Sequence, residues 1–187
     1  MWEYTDAVKD HFLNPRNVGE LEDANAIGET GSISCGDALK LFLKINENDR
    51  IIDASFMTFG CASAVASSSA LTEIIKGMTL DEASKITNED ISDYLGGLPK
   101  AKMHCSVMGQ SALKKAIADY RGVQILDKPG EIVCECFEVT DLEIIDAVKT
   151  KGLKSLEDVT DYLKAGGGCG NCHERIEEII ESVKVKG

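Results

Sequence analysis

Four cysteines constrain this chain more than any other feature. They come as two close pairs, Cys134-x-Cys136 and Cys169-x-x-Cys172, with residues 137–168 between them. In an extended segment, side chains two residues apart point the same way, so Cys134 and Cys136 converge. Gly166-Gly167-Gly168 opens a loop that brings Cys169 and Cys172 to the same centre. Four thiolates around one point suit structural zinc or an iron–sulfur cluster, and spacing does not separate the two. Loop amides near Gly168 and Gly170 are expected to donate to cluster sulfurs. His173, directly after the last cysteine, reads as a surface residue at a helix start.

A second set is spread along the first two-thirds of the chain: Cys35 in Ser34-Cys35-Gly36-Asp37, Cys61 in Phe59-Gly60-Cys61-Ala62, and Cys105 in Lys102-Met103-His104-Cys105-Ser106. Cys61 and Cys105 each open a predicted helix, where the dipole favours a thiolate. Asp37 and His104 are candidate further ligands. A carboxylate is a harder, weaker ligand for a soft metal than a thiolate, so such a site would release what it binds. Taken singly, Cys61 reads equally as a small core residue, Asp37 as a turn residue and His104 as a surface residue. Spacing leaves a shared site and three unrelated cysteines equally open.

Composition narrows the function classes. Seven cysteines are an odd number, and the N-terminal residues Met1-Trp2-Glu3-Tyr4-Thr5-Asp6 resemble neither a signal nor a transit peptide. A reducing, cytoplasmic setting with metal or thiol chemistry is expected. A net charge of −12 disfavours nucleic acid and anionic lipid, and no apolar run is long enough to span a membrane. The length of 187 residues fits one large domain or two small ones.

Patterning predicts a helix over Thr5–Asn14, with Val8, Phe12 and His11 on one face and Pro15 as its stop. A weak edge strand is expected over residues 24–34, and strong strands over 38–46 and 50–59, together an antiparallel meander. An Ala/Ser-rich helix runs from Cys61 to Gly77. Thr79-x-x-Glu82 and Thr87-x-x-Asp90 start short helices. A longer helix runs from His104-Cys105 to about Tyr120. Gly122 and Pro129-Gly130 mark a linker, giving domains 1–126 and 127–187. Thr140-x-x-Glu143 and Ser155-x-x-Asp158 cap two further helices, and a charged one follows from His173.

Several stretches together resemble the IscU/NifU family of iron–sulfur scaffolds: Asp10-His11-Phe12-Leu13-Asn14-Pro15-Arg16-Asn17-Val18-Gly19, Cys35-Gly36-Asp37, Thr58-Phe59-Gly60-Cys61-Ala62-Ser63-Ala64 and Lys102-Met103-His104-Cys105-Ser106-Val107. From about residue 131 the chain is similar to bacterioferritin-associated-ferredoxin-like (BFD-like) modules, through Cys134-Glu135-Cys136 and Gly168-Cys169-Gly170-Asn171-Cys172. That order resembles NifU, whose further C-terminal domain with its own Cys-x-x-Cys has no counterpart in residues 1–187. Where stand-alone IscU carries a chaperone-read Leu-Pro-Pro-Val-Lys, this chain has Leu98-Pro99-Lys100-Ala101-Lys102.

The resemblance implies an α+β first domain, a small antiparallel sheet covered by helices, followed by a small all-helical iron–sulfur module. It implies a scaffold and carrier rather than an enzyme. A cysteine desulfurase would deliver sulfur as persulfide to Cys105. Iron, or zinc as purified, would bind among Cys35, Asp37, Cys61, His104 and Cys105. A transient [2Fe–2S] cluster would pass to apo-protein recipients, with a homodimer as a further expectation. Cys134, Cys136, Cys169 and Cys172 would hold a permanent [2Fe–2S] cluster that supplies or relays electrons. The competing readings are an electron-transfer protein using the last four cysteines, and a zinc- or thiol-based redox protein with Cys105 as nucleophile and His104 as base. Adjacent residues seldom point together, which weighs against that His–Cys pair.

Overall fold

The computed structural model describes residues 3–32, 36–99, 102–123, 125 and 128–185. Cys35, Lys100 and Ala101 lie outside the described residues, so the structure says nothing of Cys35 as a ligand. The chain divides into two compact units, Met1–Ile125 and Leu126–Gly187.

The first unit is built on an antiparallel meander of β1 (Ala26–Ser32), β2 (Asp37–Ile45) and β3 (Ile51–Phe59), in that order. Strand alternation puts Leu39, Leu41, Leu43 and Ile45 on one buried face, beside Ala54 and Phe56 of β3. Each fully buried Leu, Ile or Phe contributes roughly 1.5–3 kcal/mol by leaving water. Phe42 is also buried, on the opposite face, with the Lys40 ammonium 5.5 Å from its ring centre.

Five helices pack beside this sheet: α1 (Asp6–Leu13) lies against α2 (Ala62–Ile75), and α2, the short α3 (Leu80–Ala83) and α4 (Asn88–Tyr94), and the long α5 (His104–Arg121) cover the core face. Thr5 caps α1, accepting from the Val8 amide at 3.1 Å. Val8 and His11 are buried as expected, but Phe12 is 43% exposed. His11 Nδ1 lies 2.9 Å from Ser69 Oγ on α2, and that buried bond sets the rotation of α1 and turns Phe12 outward. Both expected Thr caps form reciprocal boxes, Thr79 with Glu82 and Thr87 with Asp90.

Small residues govern how closely the layers approach. A Cβ on Gly28 of β1 would fall 1.9 Å from the Ala112 carbonyl oxygen and 2.6 Å from the Ala116 amide of α5. The α5 backbone therefore rests directly on β1, which fixes where the N-terminus of α5 can reach. On α2, Ala64, Ala66, Ser67, Ser68 and Ala70 are all buried, so that helix also packs backbone-close.

The second unit is helical, with α6 (Asp141–Lys151), α7 (Leu156–Leu163) and α8 (His173–Val185) around Ile144, Val148, Val159, Ile176 and Ile180. Thr140–Glu143 and Ser155–Asp158 form the expected capping boxes. To the expected helices the structure adds a short ladder of β4 (Ile132–Cys134) and β5 (Val139–Thr140). Its cause is local: Glu131 and Asp141 exchange backbone and side-chain bonds of 2.9 and 2.8 Å, which clamps the strand carrying Cys134 to the start of α6. No helix among the described residues is long and apolar enough to cross a membrane.

Candidate metal and cluster sites

Strand register assembles the first site. Ala38 pairs with Phe59, so Asp37 at the start of β2 lies beside Gly60 and Cys61 at the end of β3. Gly60 has to lack a side chain: a Cβ there would lie 2.8 Å from Asp37 Oδ1 and 2.9 Å from Ala64 Cβ. The N-terminus of α5 then brings His104 and Cys105 to the same point. Cys105 Sγ lies 3.7 Å from Cys61 Sγ and 3.9 Å from Asp37 Oδ2, and His104 Nε2 is 3.4 Å from Asp37 Oδ2.

Ligand atoms of Asp37, His104 and Cys105 all lie within 4.8 Å of one another. These three residues are only 6%, 4% and 2% exposed, while Cys61 is half-buried at the rim. Burying a carboxylate among thiols is costly unless a cation compensates it. The donor set, one oxygen, one imidazole and sulfur, suits iron or zinc. His104 Nδ1 is buried with no partner among the described residues.

Two sequence expectations are corrected here. Adjacency weighs against His104 and Cys105 pointing together, yet at the first turn of α5 both reach Asp37. From its helix start and its neighbours Lys102 and His104, Cys105 is expected to ionise more readily than a free cysteine and to be more accessible than Cys61, and the structure has the opposite on both counts. The Cys105 S–H donates to Cys61 and, with Lys102 nearby, brings the Cys61 thiol down to about 5. That same shared proton, then burial and the Asp37 charge, push the Cys105 thiol far up.

The second site sits where β4 ends and the loop after α7 returns. Cys136 Sγ and Cys169 Sγ are 3.4 Å apart, and the Cys172 S–H donates a hydrogen bond to the Cys134 sulfur. Cys134, Cys136 and Cys172 are buried and Cys169 is exposed. Each cysteine of one pair thus meets one cysteine of the other, as four ligands of one centre must. The Cys172 S–H, with amides of Gly166, Phe137 and Cys136, brings Cys134 down to about 6, and sharing that proton raises Cys172. One donating amide, Gly166, belongs to the glycine loop near Gly168 and Gly170 as expected, and two more, Cys136 and Phe137, come from the other pair of cysteines. Gly168 instead gives room, since a Cβ there would lie 3.1 Å from Cys136 Sγ. Four thiols, three of them buried, faced by backbone amides fit an iron–sulfur cluster.

Sequence reasoning missed the need for a glycine at Gly60, which was legible only as half of a Gly-Cys pair. His173 is an exposed residue at a helix start, as read from the sequence, and its Nε2 lies 2.7 Å from the Gly166 carbonyl oxygen.

Comparison with known proteins agrees with this division. The NifU-like N terminal domain family matches residues 3–126, and the BFD-like [2Fe-2S] binding domain family matches residues 132–182. Nitrogen fixation protein NifU of Trichormus azollae is 54% identical over 98% of this chain and 65% of its own length, so the chain spans just under two-thirds of that relative. The iron-sulfur cluster assembly scaffold protein IscU of Aquifex aeolicus is 49% identical, with 73% of this chain and 88% of that protein covered. A crystal structure from Fervidobacterium islandicum, described as an iron–sulfur cluster assembly scaffold protein for the SUF system, shares the fold of the first unit. It has a TM-score of 0.51 at 23% identity, and the match covers 61% of this chain and 96% of that one. With both domain patterns matched in order, the chain belongs to the NifU-like family: an IscU-like N-terminal domain followed by a BFD-like [2Fe–2S] binding domain.

Proposed function

We propose that this chain is a scaffold and carrier for iron–sulfur cluster assembly, working in the cytoplasm, with residues 1–126 as the scaffold and 127–187 as a redox module. The observation that carries this reading is the buried meeting of Asp37, His104 and Cys105 with the half-buried Cys61. A mixed oxygen, nitrogen and sulfur set holds iron, yet holds it less firmly than four thiolates. That balance suits a cluster that is cargo, built from iron and sulfur and released to apo-protein recipients. Cys35 is assigned as a further ligand on the sequence alone.

Sulfur is proposed to arrive from a cysteine desulfurase as persulfide, with Cys105 as acceptor. Cys105 is the hub of the site, since its sulfur faces both Cys61 and Asp37. The Cys105 sulfur attacks the outer sulfur of the donor persulfide, one S–S bond forms as another breaks, and the Cys105 proton goes to the departing desulfurase sulfur, which leaves as its thiol. No net oxidation occurs in that exchange. Reducing the transferred sulfur to sulfide takes two electrons. Ferrous iron supplies one of them on becoming ferric, and the other requires a donor.

The resident [2Fe–2S] group of the second site would supply that one-electron chemistry. Cys134, Cys136, Cys169 and Cys172 would hold it, and the surrounding amides would stabilise the sulfur charge. The competing reading as a plain electron carrier leaves the buried first site without a role.

The test is iron, sulfide and zinc analysis with visible spectra on the whole chain, unmodified and with Cys35, Cys61 and Cys105 all changed to Ser. Chelator-resistant colour should persist in the triple variant, while cluster that transfers to an apo-ferredoxin should vanish. Colourless protein with zinc at the last four cysteines would overturn the redox half. Undiminished transfer from the triple variant would overturn the scaffold half.

A further inference from the structure

We propose that His173 is a positioning residue for the four-thiol site, its imidazole N–H holding the Gly166 carbonyl so that the loop carrying Cys169 and Cys172 keeps one conformation. His173 is the first residue of α8, directly after Cys172. Its Nε2 is 2.7 Å from the Gly166 oxygen, and an oxygen acceptor requires that nitrogen to carry the proton.

The ring also packs into the loop on two sides. A Cβ on Gly166 would lie 3.1 Å from His173 Cδ2, and one on Gly170 would lie 3.3 Å from His173 Cε1. Both glycines have positive φ, +88° and +83°, so the loop is bent around the imidazole in conformations that L side chains rarely adopt. The preceding carbonyl, Ala165, is held in the same way by Thr160 Oγ1 at 2.7 Å.

With the carbonyls of Ala165 and Gly166 both tied back, the Gly166 amide faces the sulfurs of Cys134 and Cys172. Gly166 is buried, and a leucine in place of His173 would cover its carbonyl without offering a donor. The Gly166 amide shares a peptide plane with the Ala165 carbonyl, so freeing the Gly166 carbonyl removes one of its two ties, lets the next peptide rotate and loosens Cys169 and Cys172 together. Amides directed at sulfur favour the more negative, reduced state of a cluster. Losing His173 therefore lowers the reduction potential as well as the hold on the metal.

The redox part rests on the [2Fe–2S] reading above, and the hold on metal does not. The test uses the full chain with His173→Leu, which fills the space without a donor, and His173→Gln, which keeps an N–H at similar reach. Iron, sulfide and zinc content of the unmodified chain is measured first. Zinc there would sink the cluster reading, and the rate of zinc loss to a chelator would still decide the role of His173.

For the Leu variant, metal loss to chelator should be about tenfold faster or more, the usual scale for a lost partner behind a ligand. Its potential should move negative, and the Gln variant should recover most of both. Should the Leu variant lose its helices by circular dichroism, His173→Asn carries the same expectation, its amide being too short to reach Gly166. Unchanged loss rate and potential in the variant lacking the donor would overturn the proposal. So would a Gln variant as impaired as the Leu one, since ring packing rather than donation would then hold the loop.

Discussion

The reversal of Cys61 and Cys105 yields a quantitative prediction for the metal-free chain. The perturbation is pH, between 6 and 8, with a small uncharged disulfide as reagent. With its thiol near 5 against an ordinary 9.0, Cys61 is already ionised at the lower pH. At pH 6 about 90% of Cys61 but only about 0.1% of an ordinary thiol is thiolate, a ratio of roughly 900. A less basic thiolate is a weaker nucleophile, and about four pKa units at a Brønsted slope of ~0.4–0.5 take back roughly 40–100-fold. Cys61 should therefore react roughly 10–20-fold faster than a free cysteine peptide at pH 6 and several-fold slower at pH 8. Half-burial scales both rates alike, so the pH profile is the cleaner reading. Cys61 should change by little over that range while the free peptide rises about 90-fold. Reagent release followed in time, with mass spectrometry of quenched peptides, assigns the site. A Cys61 rate climbing in step with the free peptide would refute the proton-sharing argument, and so would Cys105 reacting first, since Cys105 is 2% exposed.

Three further outcomes follow from the same geometry. Asp37→Ala should lengthen the life of a cluster on the first site and slow its transfer to an acceptor, because the hard oxygen beside Cys105 is the weakest ligand; a decay rate matching the unmodified chain would make Asp37 a turn residue only. Gly28→Ala should destabilise the first unit by about 1–3 kcal/mol or more in urea denaturation, since α5 must lift off β1 to admit the methyl group; an unchanged midpoint would mean the layers are not in backbone contact. Burial first, then the Arg16 charge, hold His11 below its ordinary 6.5, so the unfolded chain binds the extra proton. That contribution to stability is complete above about pH 6.5 and is lost as pH falls below it toward the folded value. Denaturation at pH 7.5 and 5.5 should show His11→Gln losing less stability on acidification than the unmodified chain, and equal losses would count against a buried neutral His11.

Much of this protein was determined by its sequence alone. The 3.6- and 2-residue periods, the Thr79, Thr87, Thr140 and Ser155 caps and the Leu39–Ile45 alternation are local facts. Local energies decide them wherever the chain goes. The convergence of Cys134 and Cys136 with Cys169 and Cys172 was legible for the same reason, as each pair is close in sequence and glycines bend the return. What tertiary structure decided is everything that depends on a neighbour distant along the chain. Phe12 faces outward because His11 found Ser69, fifty-eight residues away. Asp37 meets His104 and Cys105 rather than standing alone in a turn because the β2–β3 register sets it against Gly60 and α5 delivers the other two. Acidity falls to Cys61 rather than Cys105 although both helix starts carry the same favourable dipole. Only their depth in the fold, and the one proton they share across 3.7 Å, could choose between them.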